Sequence, residues 1–282
     1  MKALDPVPEE TTCRSCGNAH QLRFCPQCGE KRFDPRSLSI GHFFEETLEG
    51  LFHFDTKFLR TVRTLLRHPG QLSVDAVEGR RVGAVRPFQL FLIVNILIFF
   101  LLFSNPFSLP LKNYITYKPF TSFHTVEQVD AHLAKHHVTM AAFEQEFDHA
   151  VHGLSKSLII VLIPVYALVS GLLFMRMRRR VVEHLVFATH YITFVLLVFL
   201  LMLFVAWPAE LIGELIRSRP GEVFDMVITA LTSVLFVVWL FFAVRRFYGA
   251  RVLHALLAAV LVGGAFFYVL QAYRMLLFHL LV

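Results

Sequence analysis

The sequence predicts a mainly α protein. A small N-terminal zinc ribbon leads into amphipathic juxtamembrane helices and then a five-helix transmembrane bundle with a small helical external cap. Three observations point there. All four cysteines lie in one 16-residue window, Cys13-Arg-Ser-Cys16-Gly17 and Cys25-Pro-Gln-Cys28-Gly29. The 282-residue chain is 56% hydrophobic and 17% charged, with a mean hydropathy of +0.58, whereas soluble domains run near 45–50% apolar and about 25% charged. Its Lys and Arg residues gather in alternate connections between apolar stretches.

Two C-x-x-C pairs, each followed by Gly, are the sequence form of a four-thiolate metal knuckle pair. Each turn presents two sulfurs to one ion, and a Gly after the second Cys lets the backbone turn tightly. Cys13, Cys16, Cys25 and Cys28 are therefore the expected ligands of one structural Zn2+. A caged ion of this kind carries net −2, and Arg14, Arg23, Lys31 and Arg32 are placed to offset it. The site is closed, with no position left for water, so it suits a structural role better than chemistry. Rubredoxin-like iron and a redox dithiol pair are the alternatives. Cysteines clustered for metal, with none spare for disulfides, fit a reducing compartment. The start Met1-Lys2-Ala3-Leu4-Asp5-Pro6 has neither the apolar core nor the cleavage site of a secretory signal.

The expected organisation is a ribbon over 1–36 (core 11–32), amphipathic juxtamembrane helices over 37–86 and a bundle over 87–282. Apolar stretches near 87–105, 157–175, 185–207, 223–244 and 252–273 are each long enough to cross a hydrocarbon core of about 30 Å. Residues 1–86 carry 13 Lys/Arg. Arg176, Arg178, Arg179 and Arg180 follow the second stretch, and Arg245, Arg246 and Arg251 follow the fourth. The other side has four Lys across 106–156, with Arg217 and Arg219 in a short turn. The bias predicts a cytoplasmic N-terminus and an external C-terminus in a bacterial inner membrane. It also accounts for the net charge of +6 without a nucleic-acid partner. Pro164 and Gly171 make the second stretch the weakest span, and only packing neighbours would let it stay helical.

From Asp55, read as an N-cap, Phe58, Leu59, Val62, Leu65 and Leu66 fall on one arc of a helix. Lys57, Arg60, Arg63 and Arg67 fall on the opposite arc, and Pro69-Gly70 ends it. This predicts a basic face on the membrane surface. The competing expectation packs the helix on residues 38–52, rich in Phe43, Phe44, Leu48 and Leu51. In the external segment 106–156, Thr125-Val-Glu-Gln128 reads as a capping box, and a further helix is expected from about Thr139 into the second span. His124, His132, His136, His137, His149 and His152 lie there, with His132 and His136 at helical spacing for a metal pair.

Ionisable groups at membrane depth are candidate sites. Glu183, His184 and His190, with Asn95 and His254 in the same half, form a candidate intramembrane polar site. The competing expectation is a set of interhelical hydrogen bonds that fix packing. No nucleophile motif or catalytic residue is evident.

These pieces together resemble an uncharacterised bacterial zinc-ribbon membrane family, domain-of-unknown-function family 3667. The matching elements are Cys13-x-x-Cys16 with Phe24-Cys25-Pro-Gln-Cys28-Gly29, Asp55-Thr-Lys-Phe-Leu-Arg-Thr61, Pro69-Gly70 and Gly79-Arg80-Arg81 before Pro87-Phe88. Glu183-His184-Leu-Val-Phe-Ala-Thr-His190 and Phe247-Tyr248-Gly249 complete them. The resemblance implies a zinc ribbon on a multi-span bundle and implies no activity.

The functional expectation is a non-catalytic membrane protein. Its partners are the lipid bilayer and a protein bound through the ribbon for scaffolding, assembly or regulation, with room for a homo-oligomer. A transporter or channel using Glu183 and His190, with Pro164 and Gly263-Gly264 as helix breaks, is the alternative. A lipid-acting membrane enzyme ranks third.

Overall fold

The computed structural model describes residues 11–32, 56–80, 82–101, 107–118, 120–177, 179–215 and 222–282, with backbone alone for 56, 203–215 and 222–225. The Asp55 cap, the 38–52 helix, Arg81, Arg178, Arg217 and Arg219 lie outside the described residues. The ribbon pairs β1 (Thr11–Thr12) antiparallel with β2 (Ala19–His20). The rest is helical: α1 (Thr56–Arg67), α2 (Gln71–Glu78), α3 (Pro87–Leu101), α4 (Leu111–Thr116), α5 (Thr125–His136), α6 (Met140–Ser157), α7 (Leu162–Leu173), α8 (Val181–Leu215), α9 (Glu222–Tyr248) and α10 (Val252–Leu281).

Among the described residues, four helical runs are long and apolar enough to cross a membrane: Met140–Leu173, Val181–Met202, Met226–Tyr248 and Val252–Leu281. The first expected span is shorter as described. Pro87–Leu101 has 15 residues, about 22 Å at 1.5 Å per residue, and 102–106 lie outside the described residues. Helix α8 is the centre of the bundle, with 72% of its apolar window buried against 22–39% for the other three. It is apolar all round, as a helix enclosed by neighbours must be. Phe194 of α8 stacks on Trp239 of α9 at 4.5 Å.

Neither Pro164 nor Gly263-Gly264 breaks a helix. Pro164 has no N–H to offer the Ile160 carbonyl. A 3₁₀ turn, Leu158–Val161, takes up the mismatch, with the Leu162 N–H turning to the Ile159 carbonyl. The run Met140–Leu173 then continues as one helical segment. Gly263 sits inside the uninterrupted α10, where a Cβ would lie 2.9 Å from Val237 of α9. Its role is close helix packing beside Ala255, Ala259 and Val262, all buried.

Helices α1 and α2 form a hairpin laid against the bundle. Leu65 is 1% exposed, and its carbonyl accepts the Trp239 indole N–H at 2.9 Å. Arg246 donates to the Pro69 carbonyl at 3.1 Å. Gly70, at φ 78°, faces Ala243 so closely that a Cβ would sit 2.6 Å from the Ala243 carbonyl oxygen. Pro69-Gly70 thus ends one helix and also lets the turn touch the backbone of α9. Thr61, buried, donates to the Lys57 carbonyl and accepts the Val85 N–H at 2.9 Å, tying α1 to the approach to α3.

The cap packs on the far end of α10. The Tyr114 ring is fully buried among Phe120, Phe147 and Phe278, and its hydroxyl donates to the Arg274 carbonyl. Tyr273 donates to the Ser155 carbonyl at 2.6 Å. Lys156 donates to the Phe99 carbonyl at 3.2 Å, near the described end of α3. Thr125 is not the cap of α5. The residue before it, His124, takes the left-handed conformation at φ 56°, and Thr125 lies inside the first turn, fully buried. Its hydroxyl donates to the Tyr114 carbonyl at 2.7 Å, so a tertiary acceptor won over the local one. Helix α6 does carry the side-chain cap of Thr139, which accepts the Ala142 N–H.

Gly70→Ala is expected to destabilise the protein by about 2–4 kcal/mol through left-handed strain and the clash with Ala243. Gly153→Ala, on a helix with open space around it, should be neutral or stabilising by about 0.5–1 kcal/mol. Thermal unfolding of both variants in one neutral detergent checks the contrast.

Candidate functional site

The two knuckles are built alike. In the first, the Cys13 N–H donates to the Asn18 carbonyl and the Gly17 N–H to the Cys13 carbonyl, at 2.8 and 2.9 Å. In the second, Cys25 and Glu30, with Gly29 and Cys25, repeat both bonds at the same lengths. Gly17 and Gly29 take φ 78° and 74°, a left-handed turn that a residue with a Cβ adopts at a cost. The turns bring all four sulfurs within 4.8 Å of one another. Cys13 lies 3.5 Å from Cys28, and Cys16 lies 3.6 Å from Cys25. A tetrahedral ion with metal–sulfur bonds of about 2.3 Å needs sulfurs about 3.8 Å apart, so the donor set fits a metal ion. Burial opposes ionisation of Cys25, but the N–H groups of Cys28 and Gln27 and the Cys16 and Cys28 thiols beside its sulfur draw the thiol below its ordinary range. Among the described residues, these cysteines are the one group of three or more His, Cys, Asp or Glu placed to share an ion. His132 instead bonds the Val282 carbonyl and stacks between His136 and Phe143.

The cluster is fastened to the helical hairpin. Glu30, 5% exposed, accepts from the Ser15 hydroxyl at 2.6 Å and from the Val82 N–H at 3.0 Å. Its carboxylate therefore joins the first knuckle, the second knuckle and the chain leading to α3. Arg14, expected as a counter-charge to the thiolates, reaches the Glu78 carbonyl at the end of α2, at 2.9 Å. Arg80 completes this end of α2, pairing with Asp75 at 2.7 Å and with Glu78.

Three of the five candidate intramembrane residues go to separate partners. Glu183 pairs with Arg179 at 2.8 Å, and Arg179 also donates to the Phe247 carbonyl and covers the Phe247 ring. His184 shares a hydrogen bond of 2.8 Å with the Tyr248 hydroxyl, and Phe174 stacks on the Tyr248 ring at 4.0 Å. His190, 2% exposed, shares a bond of 2.9 Å with Ser73 of α2. The Asn95 side-chain oxygen is buried with no partner among the described residues, and His254 is exposed. Glu183 and His190 share a face of α8, but seven residues separate them by about 10 Å, and each serves a different contact. The geometry is that of interhelical hydrogen bonds in a packed bundle.

Four of the residues that hold these contacts escaped the sequence reading. Ser73 and Trp239 bond across long sequence separations, and no local pattern marks them. Glu30 sits after a knuckle glycine, where a charged residue reads as solvated. Tyr248 stood in a recognisable motif, but its partner His184 is 64 positions away.

The architecture is thus a helical bundle with four membrane-length apolar helices and a four-thiol cluster fastened to a helical hairpin. Residues 55–99 match the model of a family described as Protein of unknown function (DUF3667). The matched segment is the α1–α2 hairpin and most of α3. Comparison with curated proteins and with solved structures finds no match.

A double-mutant cycle on Ser73→Ala and His190→Ala should return a coupling of about 1 kcal/mol, the net value of one buried hydrogen bond. Thermal unfolding of the four proteins measures it. Strict additivity would mean that the pair makes no bond.

Proposed function

We propose that this is a non-catalytic membrane scaffold or regulatory protein whose ribbon, loaded with one structural zinc ion, receives a protein partner. The observation that carries this reading is the closed four-sulfur cluster fastened through Glu30 and Arg14 to the membrane hairpin. Four thiols select zinc or iron over hard cations, and four protein ligands leave no coordination site for substrate. A ribbon held at two points is a rigid knob. Two large apolar side chains between the knuckles, Leu22 and Phe24, are 61% and 51% exposed, as an anchor for a partner would be. The Lys/Arg distribution supports a cytoplasmic ribbon, an external C-terminus and residence in a bacterial inner membrane.

Metal analysis of the purified full chain should return one zinc per chain, falling to near zero in the Cys13→Ser/Cys28→Ser variant. Leu22→Ser/Phe24→Ser should keep the zinc and lose the proteins that co-purify from native membranes. A partner set unchanged by deletion of residues 1–36 would overturn the reading.

A further inference from the structure

The structure turns α1 away from the orientation that its own amphipathicity favours. Its buried side is centred on Thr61 and Leu65, both 1% exposed. At 100° per residue, that side is rotated toward the Lys57 edge of the helix. The opposite apolar edge is left outside. Leu59 is 73% exposed, and Phe58, Val62 and Leu66 are half-buried. Next to Leu59 on the open surface come Arg63, Arg67 and Arg60, with Lys57 on the far flank, all exposed. These four side chains make no ion pair or hydrogen bond with any described residue. The exposed face of α1 thus sets a leucine edge beside a row of cations.

The position of the helix says what meets this surface. Three contacts hold the α1–α2 hairpin against α9, a helix of membrane-spanning length: Trp239 to the Leu65 carbonyl, Arg246 to the Pro69 carbonyl, and Ala243 against Gly70. They fall within the last ten residues of α9, about 15 Å of helix at its end. Helix α1 is therefore held against the end of α9 that carries Arg245 and Arg246, the basic flank at which a spanning helix would leave the hydrocarbon. At that depth an outward leucine edge meets acyl chains, and the adjoining cations meet phosphate headgroups.

We propose that the outward face of α1, formed by Leu59 with Lys57, Arg60, Arg63 and Arg67, is a binding surface for anionic phospholipid of the bilayer that holds the protein. The hairpin fixes the depth of the face, so it selects headgroup charge instead of acting as a free membrane-seeking helix. This does not depend on the ribbon having a partner.

The test uses the full chain reconstituted in phosphatidylcholine bilayers with and without phosphatidylglycerol. Lipid retained through detergent extraction and native mass spectrometry should be enriched in phosphatidylglycerol by at least about fivefold, the contribution of one basic side chain near an anionic leaflet. Enrichment should fall with added salt. It should vanish in Lys57→Gln/Arg60→Gln/Arg63→Gln/Arg67→Gln, whose thermal unfolding in neutral detergent should match wild type because these side chains are exposed and bond no described residue. A photoreactive benzoylphenylalanine in place of Leu59 should cross-link to lipid. Enrichment that survives in the quadruple variant, a position 59 that yields no lipid adduct, or cross-linking at position 59 to an acidic protein instead of lipid would each overturn the proposal. Zinc content and ribbon partners are read separately, so either reading can fail alone.

Discussion

A gap too small for one carbon atom governs the arrangement of this molecule. Gly70 and the Ala243 backbone approach so closely that a Cβ has no place between them, and the turn needs the left-handed conformation that glycine takes without strain. Around this contact, α9 supplies donors to two backbone carbonyls, at Leu65 and Pro69. Such carbonyls near the end of a helix have no intrahelical partner or only a shared one. A tryptophan and an arginine from a neighbouring helix satisfy them. The hairpin is thus held by main-chain acceptors that exist whatever its side chains are. The orientation of α1, the position of Ser73 and the reach of α2 toward the ribbon all follow.

The ribbon depends on the same hairpin. Four sulfurs meet because two glycine turns repeat one backbone geometry, and the second turn carries Glu30 directly after it. A buried carboxylate is tolerable only when donors surround it, and here a serine from the other knuckle and the Val82 N–H are among them. The four-cysteine cluster and the chain entering the bundle therefore share one polar contact. From the knuckles, Arg14 bonds the end of α2 and Glu30 the Val82 N–H beyond it, and Ser73 of the same helix bonds His190 in the central helix.

Inside the bundle, polar side chains are spent on cohesion. Lipid supplies no hydrogen bonds, and apolar surface gains little by leaving it for another helix. His184 bonds Tyr248 of α9 and His190 bonds Ser73 of the hairpin, while Glu183 reaches α9 through Arg179, which donates to the Phe247 carbonyl. The motifs around Glu183 and Phe247, far apart in sequence, form a single junction at one end of the bundle.

The sequence alone determined whatever rests on local spacing and composition. Two C-x-x-C-Gly turns specify their own backbone, so the four-cysteine cluster was legible. Apolar length marks a membrane bundle because hydrocarbon thickness sets the length of helix it needs. Pro69-Gly70 ends a helix wherever it stands. Tertiary structure decided the contacts that join distant residues. The hydrophobic arc of α1 indicated one buried face, and packing on Trp239 rotated the helix so that Leu59 points outward. The Thr125 box read as a cap, and the Tyr114 carbonyl claimed its hydroxyl. Glu183 and His190 read as one site because they share a helix face, but a face records only what could meet. Which partner it meets depends on where Ser73, Tyr248 and Arg179 lie in space, and no periodicity along the chain carries that information.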